Sequence, residues 1–201
     1  MKKFTMMVVV ALMATVGIYA QDGYEDSKHE IGISYGALSN STWQAIGESM
    51  GTSIASVGSI RYDDGDIIGA IGLEYFYHVS PVIGVGAVGT YTRETKNLYF
   101  GNNKSGDAKN TFISVLPAVK FNWLRKKYLG MYSKVAAGVT FTSKKEEYTR
   151  SDTENRSENK VNFNWQVSAF GLEAGSPYIR AFIELGVGEQ GVALTGIRFK
   201  F

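Results

Sequence analysis

After residue 20, apolar and polar side chains alternate with period two over most of the chain, the signature of half-buried strands rather than helices. The alternation predicts eight strands, at 29–38, 66–79, 82–93, 111–124, 129–142, 161–174, 178–187 and 192–201. Strand five shows it well. Leu129, Met131, Val135, Ala137, Val139 and Phe141 share one face, broken by Ser133, and Tyr132, Lys134, Thr140 and Thr142 share the other. Strand six sets Val161, Phe163, Trp165 and Val167 against Asn162, Asn164, Gln166 and Ser168. Strand seven sets Ile179, Ala181, Ile183 and Leu185 against Arg180 and Glu184.

The links alternate in length. Residues 39–65, 94–110 and 143–160 read as long connections, whereas Ser80-Pro81, 125–128 and 175–177 are tight, and 188–191 is a further short link. In an up-and-down antiparallel sheet successive links fall at opposite ends. Long links therefore gather at one end and tight turns at the other, the asymmetry of transmembrane β-barrels. The expected fold is all-β, an eight-stranded antiparallel up-and-down transmembrane barrel.

Charge decides which face meets lipid. Glu30, Asp66, Glu74, Lys120, Lys134, Arg180, Glu184, Arg198 and Lys200 fall on the polar parity, and only Arg93 and Glu173, both at predicted strand ends, fall on the apolar one. A basic residue facing mid-bilayer from a barrel wall costs about 2–4 kcal/mol, so an almost uncharged face is what lipid contact requires. The competing solution is a soluble lipocalin-like barrel with the apolar face inside. An eight-stranded interior barely holds its own side chains or one small ligand, and filling it with Phe121, Trp123, Phe141, Trp165, Phe199 and Phe201 would remove the cavity. Ring positions favour the membrane solution. Tyr75, Tyr77, Phe121, Trp123, Phe199 and Phe201 cluster toward the tight turns, and Tyr35, Tyr91, Phe141 and Phe163 toward the long links. Two aromatic bands with aliphatics between them match the interfacial girdles of membrane barrels.

Composition narrows the function. Charged residues make up 20% of the 201 residues, and the absence of cysteine excludes disulfides, thiol catalysis, cysteine zinc sites and N-terminal lipidation on cysteine. Lys2 and Lys3, the uncharged run Phe4–Tyr19 and a cleavage point after Ala20 read as a signal peptide over residues 1–20, with the barrel domain at 21–201. Removing that segment takes 21 basic residues to 21 − 2 = 19, equal to the 19 acidic ones. A neutral mature chain gives no electrostatic case for nucleic acid.

The candidate chemistry is sparse. An interior polar network is expected from Glu74, Glu184, Lys120, Lys134, Arg180 and Arg198, read first as a hydrogen-bonded plug and alternatively as a polar gate whose basic excess would favour anions. His29 and His78 fall near the tight-turn ends of two strands, and no Ser–His–acid triad follows from the spacing. Gly84, Gly86 and Gly89 read as small barrel positions rather than a nucleotide loop. No catalytic residue, metal site or cofactor is expected. Residues 144–160 balance five basic against five acidic side chains, the pattern of a solvated hairpin extension. Trp43, Ile46 and Met50 share a helical spacing in the first long link. Arg93 falls where a lipid phosphate near the outer interface would lie.

The terminal run Gly196-Ile197-Arg198-Phe199-Lys200-Phe201, with the signal segment and eight alternating strands, resembles small outer-membrane barrels of the OmpX or OmpA-barrel type. Ala181–Gly188 resembles the penultimate strand of such barrels from Bacteroidetes-like bacteria. The resemblance implies a place in the outer membrane of a Gram-negative bacterium, contact with membrane lipid and lipopolysaccharide, and recognition by the barrel-assembly machinery through Ile197, Phe199 and Phe201. No peptidoglycan-binding domain is expected after Phe201. The implied role is structural or surface-interacting (adhesion-like) and not catalytic, with a narrow pore or a membrane-embedded lipid-modifying enzyme as alternatives. No extracellular ligand is implied.

Overall fold

A computed structural model describes residues 27–41, 61–100, 103–148 and 156–201. The expected signal segment, residues 1–20, and the Trp43–Met50 segment lie outside the described residues. The eight strands are β1 His29–Ala37, β2 Arg61–His78, β3 Ile83–Phe100, β4 Asn103–Arg125, β5 Leu129–Tyr148, β6 Arg156–Gly175, β7 Ile179–Gly188 and β8 Ala193–Lys200. Each pairs antiparallel with the next, and β8 pairs back onto β1 to close a barrel. Closure runs through the whole of β1, from Glu30 opposite Lys200 to Ala37 opposite Ala193.

Alternation sorts side chains between wall and interior. In β1 the odd positions Ile31, Ile33 and Tyr35 are exposed on the outer wall, while Gly32, Ser34 and Gly36 are buried. The same holds around the ring, with Leu73 at 59%, Val115 at 50% and Leu185 at 56% exposed. Ile113 and Phe121 bracket the apolar part of β4. Their separation is about 27 Å along a strand and about 21 Å across a membrane after tilt.

Two features interrupt the ladder. Ser133 of β5 faces a register shift in β6, where Lys134 pairs with Ser168 but Tyr132 pairs with Gly171. The bulge at Ala169–Phe170 flips the parity beyond it, so Glu173 is buried and Leu172 turns toward the wall. This corrects the sequence-based placing of Glu173 on the apolar face. It also accounts for Ser133, whose hydroxyl donates to the Ala169 carbonyl at 2.7 Å and accepts from the Trp123 indole at 3.1 Å. The second feature is Pro117, which has no N–H for a ladder. The β4–β5 register passes from Val115–Val139 to Ala118–Ala136 without pairing it. Gly138 falls beside it, at the level of Leu116, where a Cβ would lie 2.2 Å from the Val115 carbonyl oxygen, so only glycine lets the strands approach there.

The strands β2 to β6 are longer than the sequence pattern indicates. They run 18 to 23 residues, against 8 to 10 for β1, β7 and β8. The expected 94–110 link is mostly strand, since β3 and β4 stay paired out to Phe100 opposite Asn103. Arg93 is therefore mid-strand rather than at a strand end. The extra length forms a sheet that rises from one side of the barrel. Most of its residues are polar, so it carries no regular apolar alternation.

Gly171 makes room for the fully buried Tyr132, whose ring carbons would lie 2.3–2.7 Å from an added Cβ. Gly171→Ala is expected to destabilise the folded barrel by about 1–3 kcal/mol through overpacking. Urea titration of the folded band on unheated gels measures it, and an unchanged midpoint would contradict the packing described.

Candidate functional site

The interior is the site that its charges build. Below mid-height, toward the tight turns, four carboxylates meet five basic side chains. Glu30 comes from β1, Glu74 from β2, Glu173 from β6 and Glu184 from β7; Lys120, Lys134, Arg180, Arg198 and Lys200 come from β4, β5, β7 and β8. Arg198 is the centre. Its two terminal nitrogens reach Glu173 at 2.8 Å and Glu74 at 2.9 Å, and Nε lies 3.3 Å from Glu30. Its guanidinium lies between the Tyr132 and Phe182 rings, 4.8 and 4.2 Å from their centroids. Lys134 bridges Glu74 at 2.6 Å and Glu184 at 2.8 Å. Ser168 and Tyr132 hydroxyls also donate to Glu184. Lys120 lies 2.7 Å from Glu30 and over the Tyr132 ring.

The turn end is closed by Arg180. It holds Glu173 at 2.7 Å and donates to the carbonyls of Lys126, Lys127 and Ser176, tying two turns to the network. All six residues expected in the network are buried inside the barrel. The network reaches beyond those six, because Lys120 pairs with Glu30 and Glu173, and Arg180 with Glu173. Sequence reasoning left out Glu30, Glu173, Lys200, Tyr132 and His78. Glu30 and Lys200 carried a signal in their parity, whereas the β6 bulge hid Glu173. His78 lies 3.0 Å from Glu30 through Nε2 and faces Asn122 through Nδ1, so it belongs to the interior network.

The interior is not uniformly polar. Phe76, Val88, Leu116, Ala118 and Ala136 pack as an apolar wedge on the β2–β5 side. At the loop end the β7–β8 turn folds inward, with positive φ at Gly188 and Gly191 (140° and 112°). It buries Glu189 among neutral donors: the Ser41 amide and hydroxyl, Ser114 Oγ at 2.8 Å and Asn164 Nδ2 at 2.7 Å. Gln190 from the same turn reaches down to Glu74 at 2.8 Å, joining the two levels. Of this turn the sequence pattern marked only the shortness of the link and its flanking glycines.

The outer wall holds the expected rings. Tyr75, Tyr77, Phe121, Phe199 and Phe201 are exposed toward the tight turns, and Tyr35, Tyr91, Phe141 and Phe163 toward the other end. Trp123 is half-buried and packs edge-on against Phe170. Ile197 is exposed between the bands. Phe201 stacks on His29 at 5.5 Å, and Tyr75 hydrogen-bonds the same imidazole at 2.9 Å. His29 is thus a wall residue at the β1–β8 seam.

A closed antiparallel ring with an apolar, ring-banded wall and a self-neutralising interior defines the architecture of a small transmembrane β-barrel. Two solved structures of Ail, the attachment invasion locus protein of Yersinia pestis, are similar in fold at 16% identity. One matches over 89% of this chain and all of that chain with a TM-score of 0.46. The other, in complex with the heparin analogue sucrose octasulfate, matches over 88% and 98% with a TM-score of 0.44. No family model and no curated protein sequence matches the chain.

Removing one partner from a buried ionic cluster leaves charge uncompensated and costs about 3–5 kcal/mol. Arg198→Ala is expected to lose that much, because three carboxylates lose a partner at once. Chemical unfolding from detergent micelles measures it, and a loss below about 1 kcal/mol would contradict the central place given to Arg198.

Proposed function

We propose that the protein is an integral barrel of the bacterial outer membrane that acts as a rigid surface scaffold, without catalytic activity. One observation carries the reading: apolar side chains cover the wall around the whole ring while the charges face inward in bonded pairs. Wall lipids and lipopolysaccharide are its surroundings, and the barrel-assembly machinery inserts it through the terminal strand with Ile197, Phe199 and Phe201. The tall β2–β6 sheet is the element that meets other surfaces, in an adhesion-like role. It stands clear of β1, β7 and β8 and carries charge on both faces.

The packed interior argues against a steady pore. The Arg198 cluster, the Phe76–Leu116 wedge beside it and the inward Glu189–Gln190 turn fill the same narrow lumen. Planar-bilayer recordings are expected to show no steady conductance, and a reproducible open level would revive the pore reading. His29 is engaged by Tyr75 and Phe201 on the wall, and His78 by Glu30 and Asn122 in the lumen, so both imidazoles serve the framework of the barrel.

Cells producing the full chain are expected to show a heat-modifiable band in the outer-membrane fraction and to adhere to surfaces. Replacing residues 146–156 with a short Gly-Ser turn should abolish adherence while leaving that band intact. Adherence equal to that of the full chain would reject the scaffold role.

A further inference from the structure

The carboxylates buried in the lumen are not all held alike. Glu30, Glu74, Glu173 and Glu184 each lie against lysine or arginine. Glu189, fully buried at the loop end, bonds only neutral groups among the described residues: the Ser41 amide and hydroxyl, Ser114 Oγ and Asn164 Nδ2. An ionised carboxylate taken out of water is costly unless it is paired as well as hydrogen-bonded. The turn-end cluster sets five basic groups against four acids. None of the five reaches Glu189, and each is bonded to a nearer acid.

The protons around this carboxylate run in one direction. Asn164 Nδ2 donates to Thr140 Oγ1 at 2.9 Å, and Thr140 and Ser114 share a hydrogen bond of 2.7 Å. Ser114 gives its hydroxyl proton to Glu189, so Thr140 is the donor between the two hydroxyls. The Ser41 hydroxyl proton also goes to Glu189, at 2.6 Å. The hydroxyl protons of this group are thus spent toward the acid, and the hydroxyls have only oxygen lone pairs left to offer. Lone pairs beside a negative charge attract a cation and repel an anion.

A second feature of the same place points to a ligand. Thr90 of β3, Ser114 of β4 and Thr140 of β5 form one inward row, and Thr92, Phe112 and Thr142 form the next row toward the tall sheet. Thr90, Thr92 and Thr142 are only 4%, 1% and 3% exposed, and their hydroxyl oxygens have no hydrogen-bond partner. Buried polar groups of this kind mark a water or an ion. Thr90 stands across the ladder from Ser114, with Cβ atoms about 5 Å apart. Its oxygen therefore borders those that serve Glu189. The row beyond, Glu94, Asn110 and Lys144, carries both signs.

We propose that Glu189, with the Ser114, Thr140 and Thr90 hydroxyl oxygens, binds a monovalent alkali cation such as sodium at the loop end of the lumen. Carboxylate and hydroxyl oxygens are hard ligands that suit a hard cation. One carboxylate calls for one positive charge, whereas a divalent ion would leave charge uncompensated in the interior. The ion extends the hold of the β7–β8 turn to β3 and β5, where Glu189 itself bonds only β4, β6 and Ser41. The site depends on the closed lumen and not on the adhesion-like role.

Thermal unfolding of the refolded full-length protein in detergent tests this, in sodium chloride against N-methylglucamine chloride at equal ionic strength. The wild type is expected to gain about 3 °C or more once sodium exceeds its dissociation constant about tenfold. Glu189→Gln should keep the heat-modifiable band and lose the sodium gain. Thr90→Val is the sharper variant, because it removes a hydroxyl that bonds nothing in the protein. Its midpoint in N-methylglucamine should be unchanged or higher, while the sodium concentration giving half the gain should rise about tenfold. Equal wild-type midpoints in the two chlorides would overturn the site, as would a sodium gain that persists in Glu189→Gln. A wild-type sodium response in Thr90→Val would overturn the ligand set. The same gain from calcium at a far lower concentration would overturn the monovalent assignment.

Discussion

A sheet in hydrocarbon cannot leave an edge open. Each unpaired backbone group there costs several kcal/mol, so the strands must close into a ring. Closure through the β1–β8 seam then dictates the rest. The outer face must be apolar, the charges of the membrane-spanning part of the strands must turn inward, and an eight-stranded ring leaves little room inside for water to solvate them. The interior therefore has to neutralise itself. Four carboxylates, five basic groups and the Tyr132 hydroxyl do this around Arg198, which reaches three of the acids at once.

Three groups of side chains divide this task. Near the turns, ionic pairs from seven strands tie opposite walls together across the ring. Beside them the Phe76–Leu116 wedge fills volume that charge cannot fill cheaply. At the loop end Glu189 is held by hydroxyl and amide donors from Ser41, Ser114 and Asn164. That arrangement fastens the start of the first long link to β4 and β6. A scaffold whose interior is cross-braced at each level presents its outer sheet on a rigid base, consistent with a surface role rather than transport.

Much of this was legible from the residues. Period-two alternation located all eight strands because one face of each is apolar, and the near absence of charge on that face chose wall over core. The same signal failed where its cause was missing. Residues 94–97 and 103–110 are strand and mostly polar in sequence, so no alternation separated them from a loop. Glu173 was misplaced because a bulge at Ala169–Phe170 shifts parity by one, and Ser133, the single break in the apolar row of β5, was the visible trace of that bulge. Glu189 and Gln190 sit in a turn, where periodicity says nothing; only the flanking Gly188 and Gly191 hinted at a folded-in conformation. Pairings inside the lumen were not legible either, since shear and bulges decide which charges meet across the ring.

The orientation of the wall is the claim on which all of this stands. The chain has no cysteine, so single nitroxide labels can be placed at Val139→Cys and Ile183→Cys on the wall and at Thr90→Cys inside, with the protein refolded into lipid vesicles. Collision with oxygen and with a water-soluble nickel complex should show the two wall labels open to oxygen and hidden from nickel, and the Thr90 label immobile and hidden from both. Wall labels that met nickel as freely as oxygen, or that were as immobile as the interior label, would contradict the account.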